Sequence, residues 1–120
     1  MQWRVGLENY EVMAVHGFYD EEHSSPQPFV FTVWATLATK GRIEELEHTL
    51  NYADLQLAVD TVMLNAPAPI RLMEEMAQRI LDILAAHAGL ATVTVRIEKP
   101  NAPLPHPGGL PVIEVEWHRD

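Results

Sequence analysis

Four short stretches of this 120-residue chain carry side chains able to move protons or hold a polar ligand. The run HGFYDEEH, from His16 to His23, sets Asp20, Glu21 and Glu22 between two histidines. The run TLNYADL, from Thr49 to Leu55, presents the phenol of Tyr52, while Glu74 stands in LMEEMA and Lys99 in RIEKPNAPLP. Carboxylates, a phenol and an amine are the groups that general acid–base chemistry draws on. Each also has an ordinary structural reading. The three acids read as a solvated turn, Tyr52 as a packing residue with its hydroxyl in water, Glu74 as a surface charge, and Lys99 as a strand-end lysine reaching out to solvent. The placement of Lys99 carries more information. In steps of two from Ala91, the residues Val93, Val95, Ile97 and Lys99 share one strand face, and Thr92, Thr94, Arg96 and Glu98 share the other. A lysine that closes an apolar row points toward the core, where partial desolvation disfavours its charged form and eases proton exchange near neutrality.

The elements that must position these groups follow from hydrophobic periodicity. A strand-like segment from Trp3 to Phe18 carries Trp3, Val5 and Leu7, then shifts parity after Glu8-Asn9 to Tyr10, Val12, Ala14 and His16. That shift predicts a bulge or bend. Beyond a loop with Ser24, Ser25, Pro26 and Pro28, a second strand places Phe29, Phe31, Val33, Ala35 and Leu37 opposite Val30, Thr32, Trp34 and Thr36. The middle third is helical. Tyr52, Leu55, Val59 and Val62 repeat at helix spacing behind Asn51 as N-cap, with Asp54 near the positive helix end. Past Pro67 and Pro69, a second helix has Met73, Met76, Ala77, Ile80 and Leu84 as its stripe, a Glu75–Arg79 pair, and Gly89 as its expected C-cap. The strand ending at Lys99 follows, and after a proline-rich turn a last strand aligns Ile113, Val115 and Trp117. The order ββααββ predicts one α+β domain over residues 1–120, with an antiparallel sheet and both helices on one side. Its other face, bearing Val30, Thr32, Trp34, Thr36, Thr92 and Thr94, is left uncovered, and closing several sheets into a barrel would shelter it.

Composition narrows the function classes. With 48% hydrophobic and 21% charged residues, the chain can bury a core. Lys and Arg number 8 against 17 Asp and Glu, for a net charge of -9, which disfavours nucleic acid and acidic membranes but not a small molecule. Cysteine is absent, so disulfides, thiolate metal sites and a Cys nucleophile are excluded. No basic segment followed by an apolar run opens the chain, and nowhere do about 18 apolar residues run together, so a cytoplasmic location is expected.

In order and spacing, HGFYDEE, LNYADL, LMEEMA and RIEKPNAPLP resemble the dihydroneopterin aldolase family over nearly the whole chain. The resemblance implies a T-fold, in which subunits form a tetrameric ring around a β-barrel and two rings stack into a homo-octamer with pterin pockets at subunit boundaries. It also implies a lyase of folate biosynthesis that splits 7,8-dihydroneopterin by a retro-aldol reaction into 6-hydroxymethyl-7,8-dihydropterin and glycolaldehyde. The ring's own C=N accepts the electrons of the broken C–C bond, so neither a metal, a cofactor nor a lysine Schiff base is required. By the same resemblance Lys99 is the acid/base group and Glu22 organises the lysine, a water and the substrate hydroxyls. Tyr52, from a neighbouring subunit, helps deliver the proton, and Glu74 holds the amino group and ring N–H of the pterin. The Pro100 to Pro107 turn forms pocket wall.

One departure stands in the last strand, LPVIEVEW, where Glu114 takes the place of a usual glycine. Two other functions fit the same motifs. A 2′-epimerase acting on dihydroneopterin or its triphosphate uses nearly the same groups, and a non-catalytic pterin-binding oligomer is the reading from another class. A zinc-dependent T-fold relative is disfavoured because the six histidines include no His-x-His pair on a strand.

Overall fold

The computed structural model describes residues 1–120. Strands β1 (Gln2–Ala14) and β2 (Gln27–Lys40) form a long antiparallel pair, followed by helices α1 (Tyr52–Leu64) and α2 (Met73–Ala85) and strands β3 (Leu90–Glu98) and β4 (Val112–His118). The sheet runs β1-β2-β3-β4, antiparallel throughout. Two short 3-10 turns, Asp20–His23 and Leu46–His48, lie in the connections.

Alternation along the strands decides which face is covered. Phe29, Phe31, Val33 and Ala35 of β2 and Val93, Val95 and Ile97 of β3 are fully buried, and both helices lie on that side. Burial of such a row is the main stabilising contribution, about 1.5–3 kcal/mol for each large side chain. From α1, Leu55, Ala58, Val59, Val62 and Met63 close the core, and from α2, Met76, Ala77, Ile80, Leu81 and Leu84 do so. Tyr52 departs from the expected stripe: it is 69% exposed, because it occupies the first helical position, ahead of the turn that reaches the sheet. The hydroxyl of Tyr10 donates to Asp60 at 2.6 Å and ties α1 to β1.

On the open face, Trp34 lies against β1 and the Arg4 guanidinium sits 4.8 Å from its ring. Gly6 makes this possible, since a Cβ there would fall 2.4 Å from the indole. The expected parity shift is a real bulge. Register slips between Leu7 and Tyr10, Asn9 takes φ 56°, and its N–H donates to Thr32 Oγ1. Asparagine tolerates this left-handed conformation better than most residues.

Two boundaries differ from expectation. The first strand stops at Ala14, not Phe18, because His16 and Gly17 turn away to bond with the α1–α2 connector. Gly89 is not the C-cap of α2: the helix ends at Ala85, and Ala86 is the cap in a right-handed helical conformation. The Arg119 guanidinium instead donates to the carbonyls of Ala85, His87 and Leu90. A cation there suits the negative helix end. The other predicted local features hold, including the Asn51 side chain accepting from Ala53 N–H and the Glu75–Arg79 pair at 2.9 Å.

Candidate functional site

Lys99 follows the last residue of β3 and keeps the strand's alternation, since its N–H still donates to Pro111 across the sheet. Its side chain therefore turns inward. Only 8% of the residue is exposed, and Nζ lies 5.8 Å from the centroid of the Phe29 ring. The charge is met by Glu22, whose Oε1 accepts from Lys99 Nζ at 2.6 Å. Glu22 reaches that point from the 3-10 turn after His16-Gly17. Its Oε2 accepts the Tyr19 N–H at 3.0 Å, and Oε1 also accepts from Gln27 Nε2 at 3.2 Å. Burial pushes the Glu22 carboxyl upward. The bonds from Lys99, Tyr19 and Gln27, with the lysine charge, outweigh that effect and hold it below the ordinary glutamate value of 4.5. The pair is thus a desolvated acid and amine in contact, two groups of the kind that general acid–base chemistry uses.

The turn that carries Glu22 is held on several sides. His23 Nε2 donates to the Gly17 carbonyl at 2.7 Å, and Gly17 N–H donates to Ile70 O. Arg71 donates to Phe18 O and Asp20 Oδ1. That arginine bond, with its charge, lowers the Asp20 pKa, but both side chains are solvated. Gly17 leaves room for the carboxylate, because a Cβ there would stand 2.4 Å from Glu22 Oε2 and 2.8 Å from its Cβ. Asp20 and Glu21 stay in solvent, as an acidic turn does.

Glu74 sits in the first turn of α2, exposed, and lines a groove of about 580 Å³ between α2 and β4. Ala77, Leu81, Ile113 and Val115 line the groove. Lys99 and Glu22 do not line it. The link between Glu74 and the pair runs through the connector: Ile70 and Arg71, just before α2, bind the Glu22 turn. The loop after Lys99 folds around a separate cleft of about 420 Å³ lined by its own residues, from Pro100 to Gly109. Tyr52 is placed elsewhere. Met63, near the far end of α1, touches His16, so Tyr52 lies roughly 16 Å away along the helix axis at about 1.5 Å per residue. Within one chain the structure joins Lys99 to Glu22, brings Glu74 to the adjoining segment and leaves Tyr52 apart. No three His, Cys, Asp or Glu side chains converge on a point that could hold a metal ion.

The family model described as FolB, dihydroneopterin aldolase, matches residues 5–116. The chain belongs to the dihydroneopterin aldolase family. A dihydroneopterin aldolase of Bacillus subtilis is 30% identical over 105 residues, covering 85% of this chain and 86% of that protein. The crystal structure of the Escherichia coli dihydroneopterin aldolase in complex with neopterin superposes with TM-score 0.70 at 26% identity, over 93% of this chain and 97% of that one. The fold is also that of a Burkholderia dihydroneopterin aldolase bound to guanine, with TM-score 0.80 at 24% identity over 99% of this chain and 93% of the other.

Beyond the residues that the dihydroneopterin aldolase motifs pick out, sequence reading missed Gly17, Gln27 and Arg71 as supports of Glu22. Gly17 had a visible signal in the His-Gly step before an acidic turn. Gln27 and Arg71 had none, since each acts through contacts with residues distant in the chain or on another element. Glu114, at the departure from the family pattern, is exposed, pairs with Arg96 across the sheet and is among the residues lining the groove.

Proposed function

We propose that the chain is a dihydroneopterin aldolase acting in the cytoplasm on the folate pathway, and that the buried Lys99–Glu22 pair carries the proton transfers. The supporting observation is that contact: an inward lysine and a glutamate from distant segments meet at 2.6 Å, at the positions that the family motifs mark. Glu22, ionised and fixed by three donors, accepts the proton of a substrate side-chain hydroxyl through Lys99 or a water. The C–C bond then breaks, its electrons enter the C=N of the dihydropterin ring, and the ring nitrogen takes up a proton that it releases again when the enamine carbon is protonated. Lys99 and Tyr52 return a proton to the new enamine carbon, which gives 6-hydroxymethyl-7,8-dihydropterin, while the other fragment leaves as glycolaldehyde. Glu74 accepts two hydrogen bonds from the aminopyrimidine edge, a geometry suited to a carboxylate.

Tyr52 is too far along α1 to act in its own chain and acts at a neighbour's pair. A ring of at least four subunits, or an octamer of two rings, supplies that arrangement. The exposure of Tyr52 and the unpaired outer edges of β1 and β4 support this reading.

Incubation with 7,8-dihydroneopterin in the presence of EDTA, followed by chromatography, tests the proposal. Formation of 6-hydroxymethyl-7,8-dihydropterin and glycolaldehyde is expected. Exclusive formation of the 2′-epimer would make the protein an epimerase, and recovery of unchanged substrate would leave a binding protein.

A further inference from the structure

A buried histidine outside the proton-transfer pair joins the two parts of the site. His16 is 4% exposed and both of its ring nitrogens are engaged. Nδ1 accepts the Ile70 N–H at 2.9 Å, and Nε2 lies 2.8 Å from the Met63 carbonyl. A backbone N–H can only donate, so Nδ1 carries the lone pair and Nε2 the proton. The backbone here is equally committed. The His16 carbonyl accepts from Gln27 Nε2, the same amide that reaches Glu22, and Gly17 N–H donates to Ile70 O.

Residues 16 and 17 are therefore clamped to Ile70 twice, once through the imidazole and once through the peptide. On one side of the clamp the chain runs into the Glu22 turn. On the other it runs through Arg71 into the first turn of α2, where Glu74 stands. We infer that His16 is a positioning residue: it fixes the separation between the Glu22–Lys99 pair and Glu74, so that a pterin anchored at Glu74 presents its side chain to the pair. This inference rests on the roles proposed for those three residues.

Histidine suits the task for a physical reason. The pocket is apolar, with Phe29 packed edge-on at 6.3 Å, yet it contains one backbone donor and one backbone acceptor on opposite sides of the ring. A neutral imidazole satisfies both. An aliphatic residue would leave a buried N–H and a buried C=O unpaired. Asparagine and glutamine each reproduce half of the ring. The oxygen of asparagine reaches the place of Nδ1, and the amide of glutamine reaches that of Nε2.

The test compares His16→Asn and His16→Gln, with Lys99→Ala as reference. Three quantities are measured for each: kcat and KM on 7,8-dihydroneopterin, affinity for an unreactive pterin analogue, and the thermal midpoint. His16→Gln leaves the Ile70 N–H without an acceptor and is expected to lower kcat by about 10- to 100-fold, the effect of a misplacement near 1 Å. It should also weaken the analogue several-fold. His16→Asn keeps the clamp and is expected to recover most of both losses, although each variant gives up one buried hydrogen bond and the two melt at similar temperatures. Equal kinetics in the two variants, or losses that follow the thermal midpoint alone, would overturn the inference.

A measurement on the unaltered protein does not depend on either variant folding. With histidines labelled by 15N, addition of the analogue should shift the His16 ring nitrogens, and unmoved resonances at saturation would also overturn the inference. The reference separates the two levels of the proposal. Full activity in Lys99→Ala defeats the functional reading itself, whereas an inactive Lys99→Ala beside two fully active His16 variants defeats only the role of His16.

Discussion

The side chains of Lys99 and Glu22 are 10% and 8% exposed, and desolvating either charge by itself would cost on the order of several kcal/mol. Only their contact makes both positions tenable. Periodicity brings out Lys99, because parity along one strand is a local property. The same reasoning leaves Glu22 undistinguished from Asp20 and Glu21, since what turns Glu22 inward is a lysine 77 residues away. The depressed Glu22 pKa fixes a pH dependence. Its folded value lies below the ordinary 4.5, so its contribution to stability is complete above that value and disappears as pH falls through the folded value. Thermal midpoints measured from pH 7 downward should fall more steeply for the natural chain than for Glu22→Gln, and parallel curves would remove the linkage. Chemistry and binding separate at the same scale. Lys99→Ala is expected to lower kcat by about 10²–10⁴ with analogue affinity within a few fold. Glu74→Ala should weaken binding by roughly 2–4 kcal/mol through loss of a charged two-point contact. Calorimetry with the analogue and single-turnover rates on both variants check this pair. Loss of analogue binding in Lys99→Ala with a normal bound-state rate would make the lysine an anchor.

Between residue and fold, the ββααββ order and the Glu8-Asn9 irregularity were readable because alternation and parity shifts are local. The ends of elements were less so. β1 stops four residues early because His16 and Gly17 bond to Ile70, and α2 ends without Gly89, with Arg119 donating to the carbonyl of its last residue, Ala85. Both partners come from elsewhere in the chain. The segment from His16 to His23 depends on close approach at Gly17. A methyl group there meets Glu22 Oε2 at 2.4 Å and, less yieldingly, Glu22 Cβ at 2.8 Å. Gly17→Ala should therefore displace the turn, costing about 1–3 kcal/mol of stability from overpacking and about tenfold to a hundredfold in kcat from the moved carboxylate. Denaturant unfolding and steady-state kinetics measure both, and unchanged kcat would show that Glu22 needs no such fit.

At the scale of the whole molecule, the 14 residues of β2, at about 3.3 Å each, nearly account for the longest dimension of 49 Å. A sheet this long with helices on one side leaves a broad second face. The sequence shows that face through its threonines and Trp34, and in the proposed ring other subunits would cover it. If Tyr52 serves a neighbour's site in the proposed ring, mixing inactive Tyr52→Phe and Lys99→Ala subunits should restore part of the activity. No recovery after verified subunit exchange would count against a shared site. The bonds that pair β3 with β4 also determine what the outer edge can do. Lys99 N–H meets Pro111 O and Arg119 N–H meets Ala91 O. The odd-numbered residues of β4 are therefore spent on β3, while the N–H and C=O groups of Val112, Glu114, Glu116 and His118 face outward. In the proposed ring the β4 edge of one subunit meets the β1 edge of the next, a heterologous contact that either closes or grows without limit. A proline at Glu116 removes an outward donor and no bond to β3. Glu116→Pro should fold, stay small by light scattering and, added as a minority to natural subunits during assembly, act as a terminator that leaves rings unclosed.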